Sequence, residues 1–124
     1  MAQEIPIGTA HEITVTVTPD MSPPHLRDVA VLSTPSMINL MEQCALQAMQ
    51  PYLTDEETSV GTEVCITHDA ALAVGQPATV RARLQAMEGR RYVWEVEALG
   101  PDGKRLGGGT HKRAAVSLAR LRGG

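Results

Sequence analysis

The stretch STPSMINLMEQCA, residues 33–45, decides the fold. It opens a helix. Thr34-Pro35 has the form of an N-cap followed by a proline at the first helical position. Pro51 cannot continue the helix, which is therefore expected to run to about Gln50. Asn39, Gln43, Gln47 and Gln50 gather on one strip of its surface, and every other position except Glu42 is apolar or small. So wide an apolar arc needs cover on most sides. Glu42 falls inside the arc, between Leu46 and Met49, and is the only charged residue from Val29 to Thr54. A lone carboxylate where burial is expected needs a partner or a job.

The covering layer comes from the rest of the chain. Residues 11–18, HEITVTVT, alternate and are rich in β-branched types, which predicts a strand stopped by Pro19 and Asp20. Pro23-Pro24 marks an irregular connection into the helix, with room for one short helical turn. After an acidic loop, DEET at 55–58, a second strand alternates with Val60, Thr62, Val64, Ile66, His68 and Ala70 on one face. Gly61, Glu63, Cys65, Thr67 and Asp69 fall on the other. Residues 78–87 and 91–98 form two more strands, joined at Glu88-Gly89. A last strand, 104–118, is weakened or bulged at Gly107-Gly108-Gly109, and the tail LARLRGG is expected to fray. The order is strand, one long buried helix, then four strands read as an antiparallel meander. One helix enclosed by a curved antiparallel sheet is an α+β architecture, the hotdog fold, in a single domain spanning 1–124.

Composition narrows the function. The chain has 124 residues, 43% hydrophobic and 20% charged, with a net charge of -3. General attraction to nucleic acid is not expected, and with three aromatic residues (Tyr52, Tyr92, Trp94) base stacking is a poor prospect. No apolar run is long enough to cross a bilayer, and MAQEIPIGTAHE lacks the basic and apolar regions of a signal peptide. A cytoplasmic protein with reduced thiols is the expectation. Cys44 and Cys65 lack metal-ligand spacing and read as small core hydrophobes, with a reactive Cys44 as the alternative. Four scattered histidines argue against zinc.

The polar residues placed inward are the candidates for chemistry. Glu42 is a carboxylate paired with an arginine, a residue at a subunit contact or gap, or a site carboxylate activated by its surroundings. His68, in phase with the apolar face of its strand, is a satisfied core histidine or an acid/base that meets Glu42. Thr34 caps the helix, and its hydroxyl also sits beside backbone N–H groups able to hold a polarised carbonyl oxygen. Gly107–Thr110 with His111, Lys112 and Arg113 is a plain bulge with a basic end, or a close backbone approach with cations for a phosphate. His111 is a second, weaker acid/base candidate.

VLSTPSMINLMEQCA, PYLTDEETSVGTEVCITHDA, EGRRYVWEVEA and GGGTHKRA together resemble the hotdog thioesterases of the fluoroacetyl-CoA thioesterase family, over nearly the whole length. The resemblance implies an acyl-CoA or acyl-carrier thioester hydrolase without a cofactor of its own, coenzyme A being part of the substrate. It implies Thr34, Glu42 and His68 as the catalytic set. Gly61 is implied near the acyl group and Lys112 or Arg113 as the cation for the CoA portion, while Gly109 is a substrate-binding candidate from the close-approach reading of Gly107–Thr110. It also implies a homodimer, which could pair into a tetramer, with active sites near the subunit interface. The fluoroacetyl-specific member covers its acyl group with phenylalanines from the segment before the helix. The matching segment here, MSPPHLRDVAVLS, has no aromatic residue, so the resemblance leaves the acyl group open between fluoroacetyl and a different acid. The rival readings are an acyl-CoA hydratase or dehydratase and a hotdog dimer that binds a thioester or apolar small molecule without turnover.

Overall fold

The computed structural model describes residues 4–123. Met1–Gln3, part of the stretch read above for a signal peptide, and Gly124, the end of the tail, lie outside the described residues. The chain runs β1 (Ala10–Thr16), α1 (Thr34–Met49), β2 (Glu57–His68), β3 (Pro77–Glu88), β4 (Arg91–Leu99), β5 (Arg105–Ser117) and a short α2 (Leu118–Leu121). Single 3-10 turns occupy Pro19–Met21 and Gln50–Tyr52. No helix among the described residues is long and apolar enough to cross a membrane.

All five strands form one antiparallel sheet in the order β1-β3-β4-β5-β2. The expected four-strand meander is therefore corrected: β3-β4-β5 is a meander, but β2 pairs with β5 and lies at the sheet edge. Residues 69–76 offer no two-residue hairpin turn. They cross the end of the sheet instead, held by Asp69 and Ala70 N–H groups on the Leu106 carbonyl and by a bridge between Ala73 and Val31.

The sheet wraps α1. Met37, Leu40, Met41, Cys44, Ala45, Ala48 and Met49 are buried against Ala78, Val80, Ala82 and Leu84 of β3 and Trp94, Val96 and Ala98 of β4. Each large aliphatic side chain so enclosed contributes about 1.5–3 kcal/mol. Burial also pushes the Cys44 thiol up to about 11, so this cysteine is an unreactive core residue. Wrapping is incomplete along Ile38, Glu42 and Leu46, each only half-buried and spaced four apart on one helical stripe. Val64 of the edge strand β2 is likewise 39% exposed.

Two expectations at the C-terminal end change. The glycine run does not bulge β5, which continues through Gly107–Gly109 in register with β2. Register shifts fall instead between Gly61 and Glu63, between Leu84 and Ala86, and between Ala98 and Leu99. The tail does not simply fray: Leu118–Leu121 makes a helical turn whose Ser117 hydroxyl accepts from the Arg120 N–H.

The β5 glycines serve close approach. A Cβ at Gly107 would overlap the Thr67 carbonyl and lie 3.0 Å from Met37 Cε and 3.1 Å from His68 Cα. Gly107→Ala is therefore expected to lower stability by about 1–3 kcal/mol through overpacking at a rigid strand contact. Urea denaturation checks this.

Candidate active site

The start of α1 does not use the expected cap. Ser33 is the N-cap, its hydroxyl accepting from the Ser36 N–H at 3.2 Å, while Thr34 and Pro35 are the first helical residues. The Met37 N–H donates to the Ser33 carbonyl, and Pro35 has no N–H. Thr34 is thus relieved of capping. Its hydroxyl lies 2.7 Å from His68 Nδ1, joining the helix start to the end of β2. A hydroxyl that close to a ring nitrogen can pass its proton to a neutral imidazole or accept one from it.

Glu42 sits two turns further along α1, about 12 Å down the axis from Thr34. Its Oε2 lies 3.8 Å from Arg113 Nη1. The Glu42 side chain is 40% exposed, whereas that of Arg113 is only 4% exposed. Glu42 thus sits on the half-covered stripe beside a buried cation, which agrees with both the arginine neighbour and the gap in the cover weighed for it.

Arg113 is held by three contacts. Its Nε donates to Ser59 Oγ and its Nη2 to the Ser59 carbonyl, both at 2.9 Å. Its Nη1 faces His111 Nε2 at 3.0 Å. The other ring nitrogen of His111, Nδ1, lies 2.9 Å from the Glu63 carbonyl. A guanidinium only donates and a carbonyl only accepts, so these neighbours select the neutral tautomer with its proton on Nδ1. Burial first, and the Arg113 charge after it, hold the His111 ring below the usual histidine pKa. Burial also lowers Arg113, partly offset by Glu42, without threatening a charge of such intrinsic strength.

A bulge brings these parts together. Gly61 opposes Arg113 and Glu63 opposes Lys112, so Thr62 is an extra residue on β2, its hydroxyl donating to the Lys112 carbonyl at 3.2 Å. The alternation changes phase there. Ser59 and Gly61 face inward before the bulge, Ile66 and His68 after it. Gly61 was expected on the face opposite His68. The structure turns both toward α1, and a Cβ at Gly61 would lie 2.7 Å from Glu42 Oε2 and 3.0 Å from His111 Cε1.

The other sequence candidates divide. Gly109 is on the inward face of β5 with His111, where a Cβ would run into the Cys65 carbonyl. Lys112 is on the outward face, bound by Glu88 at 2.7 Å and Glu63 at 3.3 Å. It does not join the group around Glu42. Ser59 had not been singled out; its only signal was being two residues before Gly61 in a strand. A depression of about 630 Å³ lies over the outer sheet face among Glu12, Arg81, Arg83, Glu95, Glu97 and Arg105, away from Thr34, Glu42 and His68. No three His, Cys, Asp or Glu side chains converge as a metal site among the described residues.

Residues 10–119 match the family described as FlK, fluoroacetyl-CoA-specific thioesterase. The chain belongs to this family. It is 45% identical over 92 residues to the fluoroacetyl-CoA thioesterase of Streptantibioticus cattleyicolor, a match covering 73% of this chain and 65% of that relative. The chain thus spans slightly under two thirds of the length of that FlK relative. A crystal structure of the fluoroacetyl-CoA thioesterase FlK superposes with a TM-score of 0.88 at 33% identity, covering 98% of this chain and 95% of the other. A variant of FlK crystallised with fluoroacetate and CoA gives a TM-score of 0.85 at 35% identity, covering 94% and 99%.

Two outcomes follow from this geometry. Ser33→Ala should cost about 1 kcal/mol of stability. Thr34→Val, which leaves the cap intact, should stay within about 0.5 kcal/mol. Chemical denaturation separates the two. His111 gives a pH effect. Glu42 and Arg113 are the charged groups facing the ring, with Trp94 opposite it on β4. The unfolded chain takes up a proton at His111 below about pH 6.5, which the folded state resists, so stability falls as pH falls through that range. Thermal melts at pH 7.5 and 5.5 should show a smaller difference for His111→Gln than for wild type.

Proposed function

We propose that this protein hydrolyses a small acyl thioester of coenzyme A, with Thr34, Glu42 and His68 as the catalytic side chains. The observation that carries the reading is the 2.7 Å contact between Thr34 and His68 at the start of α1, set against a half-exposed Glu42 on the same helix. Family membership supports it, and so does the crystallisation of a FlK variant with fluoroacetate and CoA. Hydrolysis adds water across the C–S bond, giving a carboxylic acid and a free thiol. The thiol leaves readily because its pKa is about 8.5, by analogy with cysteine. Glu42 attacks the carbonyl or takes the proton from the attacking water, and the Thr34–His68 pair handles the protons of water and thiol. Among the described residues the Thr34 N–H has no protein acceptor, and it is offered here as an oxyanion donor.

Thr34 and Glu42 are separated by about 12 Å along α1, further than one small acyl group reaches. We therefore place each Thr34–His68 pair opposite Glu42 of the partner subunit in a homodimer. The half-covered stripe of Ile38, Glu42 and Leu46 beside the open edge of β2 is the surface that supports such pairing. Gly61 leaves room beside the carboxylate for the acyl group, and Arg113 backs it. With no phenylalanine in the segment before α1, the acyl site is open to acids other than fluoroacetate.

Thiol release from fluoroacetyl-, acetyl-, branched and aromatic acyl-CoAs tests the reading. Turnover is expected, with kcat lowered about 100- to 10,000-fold in Glu42→Gln and in His68→Ala. Folded dimeric protein that binds acyl-CoA without releasing thiol would contradict hydrolysis.

A further inference from the structure

We propose that His111 and Ser59 are positioning residues that hold the Arg113 guanidinium at a stand-off from Glu42, near enough to steady its charge and too far to occupy its lone pairs. This rests on the reading of Glu42 as the attacking or water-activating carboxylate. A carboxylate joined directly to arginine sits at about 2.7–2.9 Å in charge-assisted hydrogen bonds, which engage the electrons a nucleophile or base must offer. Here the separation is 3.8 Å. At that distance the attraction persists and the hydrogen bond does not. Closing the gap needs a shift of only about 1 Å by Nη1. Something must therefore resist it.

The resistance comes from the other side of the guanidinium. Ser59 takes Nε with its hydroxyl and Nη2 with its carbonyl, which fixes the plane. His111 Nε2 takes Nη1, the same nitrogen that faces Glu42, and draws it away from the carboxylate. His111 can do this only while Nε2 is unprotonated, and its anchor on the Glu63 carbonyl sets that tautomer. The whole clamp is enclosed, with His111, Arg113 and Ser59 at 1%, 3% and 4% exposure. Gly61 completes it from the other flank, since a Cβ there would fill the space beside Glu42 Oε2. His111 thus acts through Arg113, with the proton-transfer chemistry left to Thr34, His68 and Glu42.

The test compares wild type, His111→Leu and His111→Gln. Glutamine can offer an oxygen to Arg113 and an N–H to the Glu63 carbonyl; leucine can do neither. In His111→Leu, kcat is expected to fall about tenfold or more with KM within about twofold, and His111→Gln should recover most of the loss. A crystal structure of His111→Leu should show Nη1 within hydrogen-bonding distance of Glu42, and nitrogen-15 NMR of wild type should show the neutral Nδ1–H tautomer at pH 7. A leucine variant that melts lower but keeps wild-type kcat would overturn the clamp. If wild type itself releases no thiol, the thioesterase reading fails, and the clamp is then decided by the crystal structure and the NMR: an unmoved guanidinium or a protonated His111 overturns it.

Discussion

A helix that is apolar around most of its circumference cannot rest on a flat sheet, because more than half of its surface would stay in water. Everything else in this structure follows from wrapping α1. The sheet must curl, so its inner face carries small residues such as Ala78, Ala82 and Ala98, with glycines at Gly107, crowded by β2 and Met37 of the helix, and at Gly109, crowded by the β2 backbone. The absence of phenylalanine suits the same requirement: methionines on the helix fill irregular gaps that planar rings would not. The one stripe the sheet leaves half-covered is the one that contains Glu42. The candidate site lies where the wrapping stops.

The second constraint is the extra residue at Thr62. Without it, strict alternation along β2 would turn Gly61 away from the face that holds His68. With it, Ser59 and Gly61 reach the middle of α1, while His68 reaches its start. One strand thereby serves two points about 12 Å apart on the helix. The Ser59–Arg113–His111 arrangement depends on the same shift, since Ser59 must face inward to take the guanidinium.

Much of this was legible in the residues, and the failures have physical causes. The helix and its proline limits, all five strands and the inward histidine followed from periodicity and punctuation. Cap identity did not, because Ser33 and Thr34 are both good capping residues and only the backbone decides between them. The position of β2 did not, because adjacency in sequence favours a hairpin and the crossing at 69–76 relies on long-range hydrogen bonds. The glycine run stays in register and the extra β5 residue is its neighbour Leu106, while the bulge that shapes the candidate site occurs at Thr62, which no local rule marks. Lys112 and Arg113 are neighbours with opposite environments, as strand alternation requires: one ion-paired on the outer face, one buried beside Glu42.

In the proposed homodimer each site for thioester hydrolysis is completed across two subunits, with Thr34 and His68 from one and Glu42 from the other. A heterodimer of one Thr34→Ala subunit and one Glu42→Gln subunit, purified through two different tags, measures this directly. Each parent homodimer has lost a member of both sites. The mixed dimer would have one site with both defects and one with neither, so about half of the wild-type thiol-release rate is expected. A heterodimer no more active than its parents would contradict the account and return Thr34, Glu42 and His68 to a single subunit.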